Sequence, residues 1–165
     1  MIVFKDKEIL FLSKLFSALG ESNLNFDYCV LTEIDCDDDL WSITGKDIDI
    51  FVSNLSIAHD IFMKLGMLVR RGQYKDYRYY KFFKKSGILL VIDISIITDK
   101  HTLDYNIIKS SFFSRPLGAN VPRTEYLFAH KIIKYYLDGF FSSNLQLSRL
   151  LDSWDNLDNN KKIEV

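Results

Sequence analysis

Apolar positions along the chain fall into alternating helical and extended periods. Between residues 5 and 19, Ile9, Leu12, Phe16 and Leu19 recur at helical spacing, and the stretch runs into Gly20, a residue suited to leaving a helix. The spacing predicts an amphipathic first helix. Residues 27–32 (DYCVLT) are short and apolar between polar flanks, which predicts a buried strand. Residues 33–46 (EIDCDDDLWSITGK) are polar and acidic and are expected to form a loop. Residues 47–52 (DIDIFV) predict a second strand. Ser53 and Asn54 then offer an N-cap for a helix that runs to about Leu65 through Leu55, Ala58, Ile61 and Phe62. Residues 67–71, 77–83 and 88–97 read as three more strands, with Gly72-Gln73 and Lys85-Ser86-Gly87 as turns of hairpin length. The pattern weakens over residues 100–121. Beyond Pro122 a helical stripe returns through Tyr126, Leu127, His130, Ile132, Ile133 and Leu137 and stops near Gly139; a last helix is expected over residues 143–157.

Strand, helix and hairpins in this order predict an α+β domain with a mixed sheet, flanking helices and a C-terminal helical appendage. Its core spans about residues 26–100 and its later helices about 122–158. A length of 165 residues suits this single domain over 1–165. A composition of 48% hydrophobic and 26% charged residues, with 2 prolines and 7 glycines, excludes the disordered and low-complexity classes. The 2 cysteines form no disulfide framework, and Cys29, inside an apolar run, reads as a reduced core thiol. Lys5, Asp6, Lys7, Glu8 and Lys14 interrupt the apolar N-terminal stretch, so neither a secretory segment nor membrane insertion is expected and the location expected is cytoplasmic. Charge is segregated: residues 1–66 carry 5 basic and 12 acidic side chains, residues 67–134 carry 13 and 5, and residues 135–165 carry 3 and 5. An acidic segment before a basic one suits a site that pairs carboxylate-bound metal with phosphate; oppositely charged solvated faces are the plainer reading.

Asp47 and Asp49 stand two apart in a strand, so both emerge on one face, about 7 Å apart at Cα, while Ile48 and Ile50 face the core. Two carboxylates held together repel, and a cation that shares the site relieves them. Mg²⁺ (or Mn²⁺) is the natural choice, because it takes carboxylate oxygens and fills its remaining positions with water and substrate phosphates. Asp93 lies in the apolar run LLVIDISI. If its strand neighbours the first, Asp93 completes a triad able to hold two metals about 3.5–4 Å apart, or accepts a proton from an acceptor hydroxyl. This reading requires Asp93 to share the face of the pair, with no lysine or arginine filling the space between. Asp35, Asp37, Asp38 and Asp39 lack the order of a calcium loop. Arg70, Arg71, Lys75, Arg78, Lys81, Lys84 and Lys85, interleaved with Tyr74, Tyr77, Tyr79 and Tyr80, have the ingredients of a nucleic-acid surface, though strand alternation explains them equally well and cations contacting phosphate are favoured over polymer binding. His59, His101 and His130 are too far apart in sequence to suggest zinc, and no P-loop, Rossmann glycine pattern or nucleophile elbow occurs.

GKDIDIFV followed by LLVIDISI resembles the metal site of the nucleotidyltransferase superfamily, an aspartate pair on one strand and a single aspartate on a neighbouring one. With YCVLTE and VPRTEYLFAHKIIKYYLDGFF, the chain over about residues 26–141 looks like the uncharacterised nucleotidyltransferase families often linked to bacterial polysaccharide genes. The resemblance implies transfer of a nucleoside monophosphate from a nucleoside triphosphate, ATP among them, to an acceptor it does not identify, with Asp47, Asp49 and Asp93 as catalytic and metal residues. Many members place a Gly-Ser upstream of the pair, where backbone N–H groups cradle triphosphate. Here Leu31-Thr32-Glu33 stands instead, which leaves Thr32, Thr44, Gly45 and Lys46 as candidate nucleotide-binding residues. The departure keeps two alternatives open: a catalytically inactive binding module, and a toxin-type enzyme that modifies tRNA or protein.

Overall fold

The computed structural model describes residues 1–22, 26–37, 40–43, 45–71, 77–96, 107, 112–113, 117–137, 148, 151 and 154–155. Its centre is a five-stranded mixed sheet of β2 (Tyr28–Val30), β5 (Ile48–Val52), β6 (Leu68–Arg71), β7 (Tyr77–Phe83) and β8 (Ile88–Ile96), in the order β2-β5-β8-β7-β6. β5 and β8 run parallel and the other neighbours antiparallel. Tyr28, Val30, Ile48, Ile50, Val52, Tyr79, Leu90, Ile92 and Ile94 join one buried cluster with Leu12, Leu15, Phe16 and Leu19 of α1 (Asp6–Gly20) and with Ala58 and Phe62 of α2 (Leu55–Lys64). This face is the core. Toward the β2 side of the other face, Cys29, Phe51 and Ile107 are buried, with Leu31 and Tyr126 packed against them. α3 (Thr124–Leu137) reaches this cluster, and its His130 sets an edge against the Phe51 ring at 5.3 Å.

The predicted elements recur with ends moved by a residue or two. Asn54 caps α2 as expected, its side-chain oxygen accepting from Ser56 N at 3.0 Å and Ile57 N at 3.2 Å. The Lys85-Ser86-Gly87 turn joins β7 to β8, with Gly87 at φ 74, a conformation that costs glycine little. The expected loop over residues 33–46 is a correction: it holds β3 (Ile34–Asp37) and β4 (Leu40–Ile43), an antiparallel pair extended by β1 (Ile2–Val3). Burial of Ile43 and packing of Ile34 and Trp41 against the core outweigh the polarity of the intervening aspartates. Phe4 N donates to Trp41 O at 2.7 Å, which ties the start of the chain to this hairpin. In α3, Phe128 is buried whereas Ile132 and Ile133, both placed in the predicted stripe, are exposed. The pairs β9 (Phe112–Phe113) and β10 (Asn120–Val121) fall in the weakly patterned stretch. The Gly72-Gln73 turn, Ile97 and most of the expected last helix lie outside the described residues; Trp154, from that helix, sets its ring 5.1 Å from that of Phe128.

Glu8 is a buried carboxylate at 1% exposure, and both of its oxygens are used. Oε2 accepts from Lys5 N at 3.0 Å, which satisfies a free amide at the start of α1, and Oε1 accepts from Ser86 Oγ at 2.6 Å, which ties α1 to the β7–β8 turn. Glu8→Ala is expected to lower the unfolding free energy by about 1–3 kcal/mol, since two donors lose a buried acceptor, and Glu8→Gln to lose less; urea denaturation reads both.

Tyr28 Oη donates to Phe16 O at 3.0 Å and accepts from Asn120 N at 3.3 Å, while the Tyr79 phenol meets His59 Nδ1 at 2.8 Å. Burial pushes both phenols from the ordinary 10.0 up to about 12. Below about pH 10 both states hold these protons. Between about pH 10 and 12 the unfolded chain releases them and the native one does not, so stability falls as pH rises through this window. Denaturation across alkaline pH is expected to show that decline, and Tyr28→Phe to remove part of it.

Candidate active site

Ile48 and Ile50 are fully buried on the core face, so Asp49 and the preceding Asp47 emerge on the opposite side of the sheet. Their backbone is held from β2. Leu31 N donates to Asp49 O at 2.9 Å, and Thr32 Oγ1 accepts from Asp49 N at 2.8 Å while lying 3.4 Å from Asp47 O, to which it donates. Thr32, a candidate nucleotide-binding residue, has its hydroxyl bonded to the strand that carries the aspartates. Gly45 sits beside Asp47, since a Cβ built there would lie 3.8 Å from Asp47 Oδ1. Lys46 is exposed, and Thr44 lies outside the described residues.

β8 brings the third carboxylate. Ile92 and Ile94 are buried in the core, which turns Asp93 to the same side as Asp49, its direct partner in the parallel register. On the other side of Asp93, in antiparallel register, stands Arg78 of β7. Its guanidinium grips Asp93 with both arms: Nε donates to Oδ1 at 2.5 Å and Nη2 donates to Oδ2. The same Nη2 lies 3.7 Å from Asp47 Oδ2. Hydrogen bonding to Asp93, reinforced by its charge, raises the guanidinium pKa further above its ordinary value. Asp47 and Asp93 therefore converge on one cation, and that cation is an arginine.

The condition that no basic side chain fill the space is thus not met in this arrangement, and among the described residues no three Asp, Glu, His or Cys side chains are disposed to hold a metal ion as they stand. The donor chemistry still fits a hard divalent cation, which favours carboxylate oxygens. Arg78 stands at the point where Asp47 and Asp93 converge. Its side chain is 47% exposed, against 35% for Asp47 and 23% for Asp93, so solvent screens the long contact to Asp47 most, while the two-armed grip on Asp93 is the stronger of the two.

Arg78 stood in the sequence only as one member of a basic run. The turn supplied the missing signal: Phe83 pairs with Ile88 across it, and counting outward at equal steps brings Arg78 opposite Asp93. Of the other expected features, Glu33 pairs with Lys131 of α3 at 2.7 Å, which fastens the segment after β2 to that helix. Lys81 Nζ donates to Leu65 O at 3.0 Å and Gly66 O at 3.1 Å, and so closes the end of α2.

No protein-family model matches the chain, and no curated protein does. Among solved structures it is similar to an antigenic nucleotidyltransferase-like protein from Paracoccidioides brasiliensis, with a TM-score of 0.52 and 12% identity over 92% of this chain and 78% of that one. The fold is nucleotidyltransferase-like. In the described residues no helix is long and apolar enough to cross a membrane.

Thr32→Val keeps the shape of the side chain but removes the hydroxyl that bonds Asp49 N and Asp47 O. It is expected to destabilise the fold by about 1 kcal/mol and to speed amide exchange at Asp49, with Thr32→Ser restoring both in hydrogen-exchange measurements.

Proposed function

We propose that the chain is a metal-dependent nucleotidyltransferase that moves a nucleoside monophosphate from a nucleoside triphosphate to a hydroxyl, phosphate or amine acceptor and releases pyrophosphate. The observation that carries the reading is the in-register placement of Asp49 beside Asp93, with Asp47 close enough to share a cation with Asp93, on a nucleotidyltransferase-like fold. Asp47 and Asp49 would hold Mg²⁺ or Mn²⁺, and Asp93 would serve as a further ligand or as the base. Bound there, the metal supplies Lewis-acid stabilisation of charge on the phosphoryl oxygens. The chain's residues do the rest. Thr32 keeps the β5 backbone, and with it both aspartates, in fixed register, and Asp93 would accept the proton of a hydroxyl or amine acceptor as the acceptor's oxygen or nitrogen bonds to the α-phosphorus and the bond to the pyrophosphate oxygen breaks.

Pyrophosphate release with Mg²⁺ and each of the four nucleoside triphosphates tests the reading. Asp49→Asn is expected to cut the rate by at least the roughly 10- to 100-fold that loss of a supporting metal-site residue costs. An unaffected rate removes the proposed site.

A second reading, a nucleotidyltransferase-like module that binds without catalysis, is favoured by the Arg78 pair and by Leu31-Thr32-Glu33 in place of a Gly-Ser. Calorimetry with Mg²⁺ and each nucleotide separates the two, for no heat with any nucleotide selects the module. A sugar-linked acceptor rests on the resemblance alone; label transferred to tRNA or protein from a radiolabelled nucleotide would select the toxin-type reaction instead.

A further inference from the structure

Asp49, Asp93, Arg78 and Arg70 stand directly opposite one another on β5, β8, β7 and β6, so a single row across four adjacent strands reads two carboxylates and then two guanidinium groups. Strand alternation places all four on the face away from the core. Like charges facing each other across strands disfavour the pairing, and the row contains two such pairs. The Asp93 end is relieved by Arg78, as its bonds show. Arg70 is exposed, and its cross-strand neighbour is a second arginine, an arrangement that an anion laid over both would stabilise. A guanidinium offers the same planar fork to carboxylate and to phosphate, so the grip that Arg78 has on Asp93 is one it can equally make on a phosphate group.

Resting on the reading of the site as one for metal and nucleoside triphosphate, we propose that Arg78 is an exchangeable counter-cation: it neutralises Asp93 and Asp47 in the ligand-free protein, and when a divalent cation takes the carboxylates it turns to the terminal phosphates, which it holds together with Arg70. The triphosphate then lies along the row, with its α-phosphorus at the aspartates and its pyrophosphate end over β7 and β6. Arg78 and Arg70 position the leaving group, and the divalent cation and the guanidinium exclude each other from the carboxylates.

Mn²⁺ binding to the full chain without nucleotide, followed by electron paramagnetic resonance, tests the exchange directly. Arg78→Gln, which frees Asp93, is expected to tighten Mn²⁺ binding by about 5-fold, whereas Arg70→Gln leaves it unchanged. Arg78→Lys, which keeps the charge but not the fork, is expected to fall between, and it carries the test if Arg78→Gln does not fold. In the presence of Mn²⁺, inorganic tripolyphosphate is expected to bind about 10-fold more weakly to either Arg→Gln variant. Equal Mn²⁺ affinity in wild type and both Arg78 variants, including no binding by any of them, overturns the exchange, and equal tripolyphosphate affinity overturns the placement of the leaving group. The metal readout needs no turnover. Tighter Mn²⁺ binding in Arg78→Gln with no pyrophosphate released by the wild type supports the counter-cation and sinks the enzymatic reading; turnover with unchanged Mn²⁺ affinity does the reverse.

Discussion

The parallel pairing of β5 with β8 sets Asp49 beside Asp93 and leaves like charges close together on one side of a sheet whose other side is packed with isoleucine. Carboxylates in that position repel, and although water reaches them, a cation relieves the repulsion more directly. A positive group among them is the direct relief. The sheet provides it from the next strand, as the Arg78 guanidinium.

The rest of the fold keeps this row in place. α1 and α2 pack on the core side and fix the plane of the sheet, Glu8 ties the first helix to the β7–β8 turn, and that turn sets the register that brings Arg78 opposite Asp93. From the other edge, Thr32 and Leu31 hold the backbone of Asp47 and Asp49, and Lys131 of α3 fastens Glu33 just beyond. A buried carboxylate and a threonine hydroxyl thus govern where the acidic groups stand.

Much of the fold could be read in the sequence because its central strands alternate strongly: Ile48, Ile50, Ile92 and Ile94 alternate with Asp49 and Asp93, and period two assigns both faces at once. The β3–β4 hairpin was illegible for the opposite reason. Its polar residues Asp35 and Asp37 suggest a loop, while packing of Ile34, Trp41 and Ile43 on the core and pairing of β4 with Ile2 and Val3 make it a sheet, contacts with distant parts of the chain that no local window contains. In the same way the aspartates of the candidate site announced themselves by charge in apolar surroundings, whereas Arg78 did not, since an arginine among many basic residues is unremarkable until a register gives it a neighbour. Thr32 stood out only as part of Leu31-Thr32-Glu33 in place of a Gly-Ser, and its bonds to Asp47 O and Asp49 N, 15 and 17 residues on, belong to a pairing that local sequence does not show.

A row that is acidic at one end and basic at the other also has a polarity, which acts before anything touches it. A polyanion that approaches the row meets repulsion at one end and attraction at the other. The field of the four-strand row would turn such an ion so that its charge faces the arginines before contact, and added salt would weaken this alignment more than it weakens the contacts made on arrival.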